Sequence, residues 1–152
     1  MAGFQATVAG KDLLSLNGLP VNDFAGGSYI DIKYPNARSD TQTGPNGNTT
    51  YARKQSCVNV TMTLRILRNH QTDKLLQTYI SKEDNEYTSA GFITGIHTKL
   101  FGDEQGQPLN ENWVLEGGRI MNQPNVMGDS EGNPDQATAE YEIFFAKGTR
   151  LQ

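Results

Sequence analysis

Hydrophobic and polar residues alternate along this chain with a period of two in several stretches and follow a helical period in only one. The clearest run is Ser56–Leu67 (SCVNVTMTLRIL), where Val58, Val60, Met62, Leu64 and Ile66 alternate with Asn59, Thr61, Thr63 and Arg65. Successive strand side chains point to opposite faces, so this pattern predicts a strand with an apolar and a polar side. Ser28–Tyr34 repeats it with Ile30, Ile32 and Tyr34 against Tyr29, Asp31 and Lys33. Thr138–Lys147 does so with Ala139, Tyr141, Ile143 and Phe145 facing in and Thr138, Glu140 and Glu142 facing out. Phe92–Phe101 alternates less cleanly; Phe92, Thr94, Ile96, Thr98 and Leu100 form the more apolar parity and are the expected inner set. Trp113–Met121 reads as a strand bent at Gly117-Gly118, with Trp113 expected in the core.

Turn chemistry divides these runs. In Lys11–Phe24 two short apolar segments flank Asn17-Gly18, whose tolerance of positive φ predicts a tight hairpin. Pro20 follows, so the second arm is expected to be short or at an edge. Asn69–Glu86 is the helical exception. Leu75, Leu76, Tyr79 and Ile80 recur at helical spacing, and Thr72 or Asp73 is the expected cap. Pro35–Gln55, rich in Asn, Thr, Ser and Gly around Gly44-Pro45-Asn46-Gly47, is predicted as a long inter-strand loop. Loops of about twenty residues are unusual in compact domains, so it is either a surface excursion or an arm that orders against a partner. The expected fold is mainly β: two packed antiparallel sheets, as a sandwich or barrel, with one flanking helix.

Composition narrows the function. A length of 152 residues suits one domain, residues 1–152, able to bury a core without staples. The formal net charge of −4 argues against a surface that grips nucleic-acid phosphates. Cys57 is the single cysteine, so no internal disulfide forms. Met1–Gly10 lacks the pattern of a secretory leader, and no window approaches a membrane span, so a soluble protein made in a cytoplasm is expected.

No enzyme-like constellation emerges. Gly102–Gly106 (GDEQG) lacks the spacing of a phosphate loop. Cys57 with His70 or His97 would need a thiolate-stabilising environment that a mid-strand position does not supply. Asp129, Glu131, Asn133 and Asp135 alternate oxygen ligands, but Gly132 comes too early for a calcium loop, and a polar turn is the expected reading. The 17 acids offer pairs but no cleft for sugar hydrolysis. Neither metal nor cofactor is expected. A sandwich module for carbohydrate would call for exposed aromatics on one face.

Several weak motifs in order carry a resemblance. Leu16–Tyr34 (LNGLPVNDFAGGSYIDIKY), the glycine-bearing loop at Gly44–Asn48 leading through Ala52–Gln55, Thr63–Ile80 (TLRILRNHQTDKLLQTYI), Trp113 and Pro124–Ile143 resemble the tail tube proteins of contractile-tailed bacteriophages; the correspondence is thinnest over Glu83–Asn112. The resemblance implies a non-enzymatic virion subunit, assembled in the host cytoplasm into hexameric rings that stack into a tube within a sheath. Its implied partners are itself, the tail sheath, baseplate and tail terminator proteins, the tape measure protein, and phage DNA passing the lumen without specific binding, with no membrane. The tube of a tailocin or of a type VI-like secretion device is the alternative. Asp31, Asn59, Thr61, Thr63, Glu140 and Glu142 are then the candidate lumen residues, since a neutral or acidic wall lets DNA slide. Residues 35–55 become an inter-ring loop, with Asn36, Arg38, Asp40, Asn46, Tyr51 and Arg53 as its candidate contacts.

Overall fold

The computed structural model describes residues 5–7 and 12–151; most of Met1–Gly10, and with it the reading of that segment, lies outside them. Ten strands and one helix follow in the order β1 (Gln5–Thr7), β2 (Leu13–Leu16), β3 (Leu19–Pro20), β4 (Ile30–Lys33), β5 (Ser39–Thr43), β6 (Thr49–Arg53), β7 (Val60–Leu67), α1 (Gln71–Asn85), β8 (Ile93–Asp103), β9 (Pro108–Asn122) and β10 (Thr138–Leu151). Eight strands form one antiparallel sheet in the order β3-β2-β8-β9-β10-β7-β4, with β1 added beside β8. β5 and β6 form a separate two-stranded sheet. The expected mainly-β, one-helix architecture is therefore present. The sheet does not close into a barrel, because β3 and β4 remain its two unjoined ends. β3 stops after two residues at Pro20, which has no N–H to donate.

The alternating runs behave as their periodicity demands. Val60, Met62, Leu64 and Ile66 on β7 and Ala139, Tyr141, Ile143 and Phe145 on β10 are fully buried on the inner face. With Leu14, Leu16, Ile93 and Leu115 they make one core cluster, against which Leu76 and Ile80 of α1 are packed. At the β2–β3 turn, Asn17 (φ 50°) and Gly18 (φ 81°) take the left-handed backbone that the Asn-Gly pair tolerates. Gly117 (φ 67°) lies at the bulge where the β8–β9 register slips between Ile93 and Gly95.

Besides the open sheet and the strand pair found where residues 35–55 were expected to be a loop, four expectations change. First, the inner parity of β8 is the reverse of the expected one: Ile93, Gly95 and His97 face in, whereas Phe92, Thr94 and Ile96 are exposed. A Cβ on Gly95 would sit 3.3 Å from Leu16 and 3.6 Å from Leu115, so two distant leucines fill the space where a side chain would go. Second, Thr72 and Asp73 lie inside the first turn of α1 instead of capping it. The Thr72 N–H and hydroxyl donate to Asp23, 49 residues earlier, at 3.1 and 2.6 Å. Asp73 accepts the Asn69 N–H at 2.8 Å. Third, Cys57 lies in a 3-10 turn over Gln55–Val58, before β7 begins. Fourth, Trp113 is half-buried at the rim of the core, 5.9 Å from the Tyr34 ring, with its indole N–H on Glu111 at 3.0 Å.

Polar contacts fasten both ends of the helix to the sheet. The buried Tyr141 hydroxyl donates to the Asp73 carboxylate and accepts from Gln77 at 2.8 Å. Burial, reinforced by the Asp73 carboxylate, pushes the Tyr141 pKa well above its ordinary value. At the other end of α1, Glu83 and Arg119 pair at 3.6 Å, both largely buried, with the Tyr87 and Phe92 rings each 4.7 Å from the guanidinium.

Candidate assembly surfaces

Directly opposed residues of neighbouring antiparallel strands share a face, so the pairing register maps the outer side of the sheet. Toward β4 this side is polar. Asp31, Thr63, Glu142 and Asn122 form one row across β4, β7, β10 and β9; Lys33, Thr61, Phe144 and Arg119 form the next; Arg65 and Glu140 lie opposite each other beyond. The structure thus brings five of the six candidate lumen residues onto one surface. Asn59 stands just ahead of β7. Two of the three acids have side-chain partners: Lys33 lies 3.3 Å from Asp31, and the Asn122 amide donates to Glu142 at 2.9 Å. Beside them, Arg65 is 3.9 Å from Asp135. Lys33 and Arg65 stand among the three acids, while the Arg119 guanidinium is turned to Glu83, so the wall is polar and mildly acidic.

Toward β2 the same side changes character. Leu13, Thr98, Asn112 and Leu151 form one row across β2, β8, β9 and β10, and Ser15, Ile96, Val114 and Thr149 form the next. None of these eight side chains is charged. Leu13, Ile96 and Leu151 are 60%, 54% and 49% exposed, and no polar periodicity foretold this region.

The inter-strand connection is a second surface. Ten of its residues pair as β5 and β6, with Thr41 opposite Tyr51 and Thr43 opposite Thr49. Both faces are polar, which concealed the strands from any search for apolar alternation. All ten residues are exposed, and Tyr51 is 72% exposed. Asn46 is at the tip, beside Gly47 (φ 86°). Asp40 on the ribbon pairs with Lys54 at 3.4 Å. Asn36, Arg38 and Arg53 hold the root: Asn36 donates to the Ser56 carbonyl at 3.1 Å, the Arg38 carbonyl accepts the Lys54 N–H at 2.9 Å, and Arg53 reaches the Cys57 sulfur at 3.8 Å. The candidate contacts therefore divide into three that anchor the ribbon and three that it presents.

Two clefts flank these surfaces. One, of about 570 Å³, runs over the polar rows between Arg65, Glu140, Glu142 and the connection before β10. The other, of about 490 Å³ and mostly apolar, opens at the ribbon root between Tyr34, Arg38, Cys57 and Trp113. The other candidate groups are engaged within the fold. Asp129 and Asn133 spend their side-chain oxygens on the Glu131 and Asp135 N–H groups, as polar turns do. His97 sits with Nδ1 3.1 Å from the Leu13 carbonyl oxygen, and burial lowers its pKa. Among the described residues no three His, Cys, Asp or Glu side chains gather as a metal site, and no helix is long and apolar enough to cross a membrane.

At the level of sequence, no protein-family model and no curated protein matches the chain. Solved structures do match in fold. A chain of the sheath–tube complex of an extracellular contractile injection system, PVC, in the extended state aligns with TM-score 0.67 and 14% identity, over 96% of this chain and 91% of that one. A chain of the sheath/tube terminator of that system gives 0.64 and 15%, over 97% of each. A chain of the tube-terminating cap of the anti-feeding prophage gives 0.61 and 12%, over 100% of this chain and 95% of that one. At such identities the likeness is one of fold: the chain has the fold of tube-like components of contractile injection particles.

Proposed function

We propose that this chain is a structural subunit, without catalytic activity, that assembles with copies of itself into rings stacked as the hollow tube of a contractile particle. The observation that carries this reading is the β5–β6 ribbon. An isolated two-stranded hairpin is marginal in water, yet this one extends from a tube-like fold with none of its ten strand residues buried. Contact with a neighbouring ring would supply the burial that the ribbon lacks on its own. Asn46, Tyr51 and Asp40 would then make the inter-ring contact, while Asn36, Arg38 and Arg53 brace it.

The polar rows suit a lumen. Asp31, Thr61, Thr63, Glu140 and Glu142, with Asn59 at the margin, present a polar, mildly acidic wall along which DNA or a protein cargo slides without being gripped. Six-fold rings, a surrounding sheath, a terminator, a baseplate and a tape measure protein complete the proposed particle. Phage tail tube and injection-device tube are two versions of one architecture. The matched structures, from an extracellular contractile injection system and the anti-feeding prophage, favour the injection device.

Negative-stain electron microscopy of the concentrated protein tests the proposal. Rings or hollow tubes are the expected result. A uniform population of compact particles at every concentration, including in the presence of preformed tube ends, would overturn it. Replacing Asn36–Tyr51 by a short Gly-Ser link should leave rings that no longer stack; normal tubes from that variant would remove the ribbon's role.

A further inference from the structure

Sheet surfaces exposed to water usually carry charge, and a fifth of this chain is charged. The eight-residue rectangle of Leu13, Thr98, Asn112, Leu151, Ser15, Ile96, Val114 and Thr149 carries none. Depletion of charge with retention of large apolar side chains marks the centre of an interface. The described residues contain a second region of the same kind. Met121–Gly128 (MNQPNVMG) is eight consecutive residues without a charge, and Met121, Val126 and Met127 are 60%, 91% and 41% exposed. This segment does not flap free of the body. The Arg68 guanidinium donates to the Asn125 carbonyl and, at 3.2 Å, to that of Thr138, and beyond the segment Gln136 accepts the Asp129 N–H at 3.1 Å.

The two regions cannot meet within one molecule. The rectangle includes Thr149 and Leu151 at the end of β10, whereas the segment is tied to Thr138 at its beginning. The segment's nearer end, Asn122, stands opposite Glu142, so roughly 23 Å of β10 separates even that end from Thr149, and roughly 43 Å separates Thr138 from Leu151. Two different patches, each wanting cover and lying at opposite ends of a strand, describe the two sides of a head-to-tail contact, which closes into a ring or continues as a helix.

We infer that the exposed Met121–Gly128 segment of one copy seats on the uncharged Leu13–Ile96–Val114–Leu151 surface of the next. The inference rests on the self-assembly reading and specifies its contact. Val126, the most exposed apolar side chain of the segment, would enter between Ile96 and Leu151 of the neighbour.

The test uses two variants of the full chain, Ile96→Glu and Val126→Glu, with Ser81→Glu on the exposed side of α1 as control. Circular dichroism and thermal melting establish that all three fold. Light scattering then reads assembly against concentration. Each patch variant is expected to need at least a tenfold higher concentration than the parent to associate, while the control matches the parent. Mixing the two patch variants supplies one intact rectangle and one intact segment, so a 1:1 pair should form and stop there. Parent-like assembly by either variant overturns the pairing, as does loss in both with no pair on mixing. A parent protein that never associates overturns the tube reading itself, which separates the two failures.

Discussion

β7 and the β5–β6 ribbon are separated by a single 3-10 turn, yet they hold their shape by different means. Every second residue of β7 is fully buried, and each such side chain contributes about 1.5–3 kcal/mol through the apolar surface it hides. The ribbon hides nothing. It has its own backbone ladder, the Thr43–Thr49 hydroxyl contact at 2.9 Å and the exposed Lys54–Asp40 pair, a kind of contact that contributes about 0–1 kcal/mol. One strand is therefore defined by the molecule that contains it. The other can be defined fully only by the molecule it meets, so stability and assembly should respond to different substitutions.

The largest separation should come from Leu64→Ala set beside Tyr51→Ala. Truncating the fully buried Leu64 should cost about 2–5 kcal/mol in urea unfolding, and truncating the exposed Tyr51 less than about 0.5 kcal/mol. A ribbon substitution that matched the β7 loss would erase the distinction. Next comes Gly148→Ala. Its added Cβ would lie 2.2 Å from Val60 Cγ2, and the strain of such overpacking should lower stability by about 1–3 kcal/mol. Unchanged unfolding would mean that β10 yields where it crosses β7. Tyr141→Phe should cost a comparable or smaller amount, about 1–3 kcal/mol, because it leaves the Asp73 carboxylate and Gln77 amide without their shared partner. The parent itself should lose stability above pH 10, where the unfolded tyrosine ionises but the folded one resists, and the Phe variant should lose less.

The smallest effect expected is an acid one. Burial of His97 lowers its folded pKa below the unfolded value of 6.5, so below pH 6.5 the unfolded chain binds a proton that the folded chain declines. Its contribution is complete above that pH and declines as acid is added. Denaturant titrations at pH 7.5 and pH 5.5 should show a smaller drop for His97→Gln than for the parent. An identical drop would assign the acid sensitivity to other groups.

Much of the body was legible because its signals are local. The alternation in Val60–Leu67 and Thr138–Lys147, the helical spacing of Leu76 and Ile80, the Asn17-Gly18 turn and the Gly117-Gly118 bulge each concern residues within a few positions of one another. β8 was misread for the opposite reason. Phe92 and Ile96 are more apolar than Gly95 and His97, but Leu16 and Leu115 had already filled the inner side. The ribbon strands carry no contrast between their faces, so no periodicity could announce them.

The assembly surfaces divide in the same way. Asp31, Thr61, Thr63, Glu140 and Glu142 could be chosen as outward residues from parity alone, because one face of each strand is apolar. That they form adjacent rows, with bases among them, depended on the register of β4, β7, β10 and β9. Leu13, Ile96, Val114 and Leu151 span 139 positions of the chain and look like four unrelated hydrophobic residues until strand pairing makes them neighbours. By itself the sequence determined which segments extend, which one coils and which side of most strands is apolar, since these follow from backbone geometry over a few residues. Tertiary structure decided which outward residues share a surface, which inward positions had room for a side chain, and that Asp23 would satisfy the first turn of a helix 49 residues away. Those outcomes depend on packing and register between distant segments, which no local pattern contains.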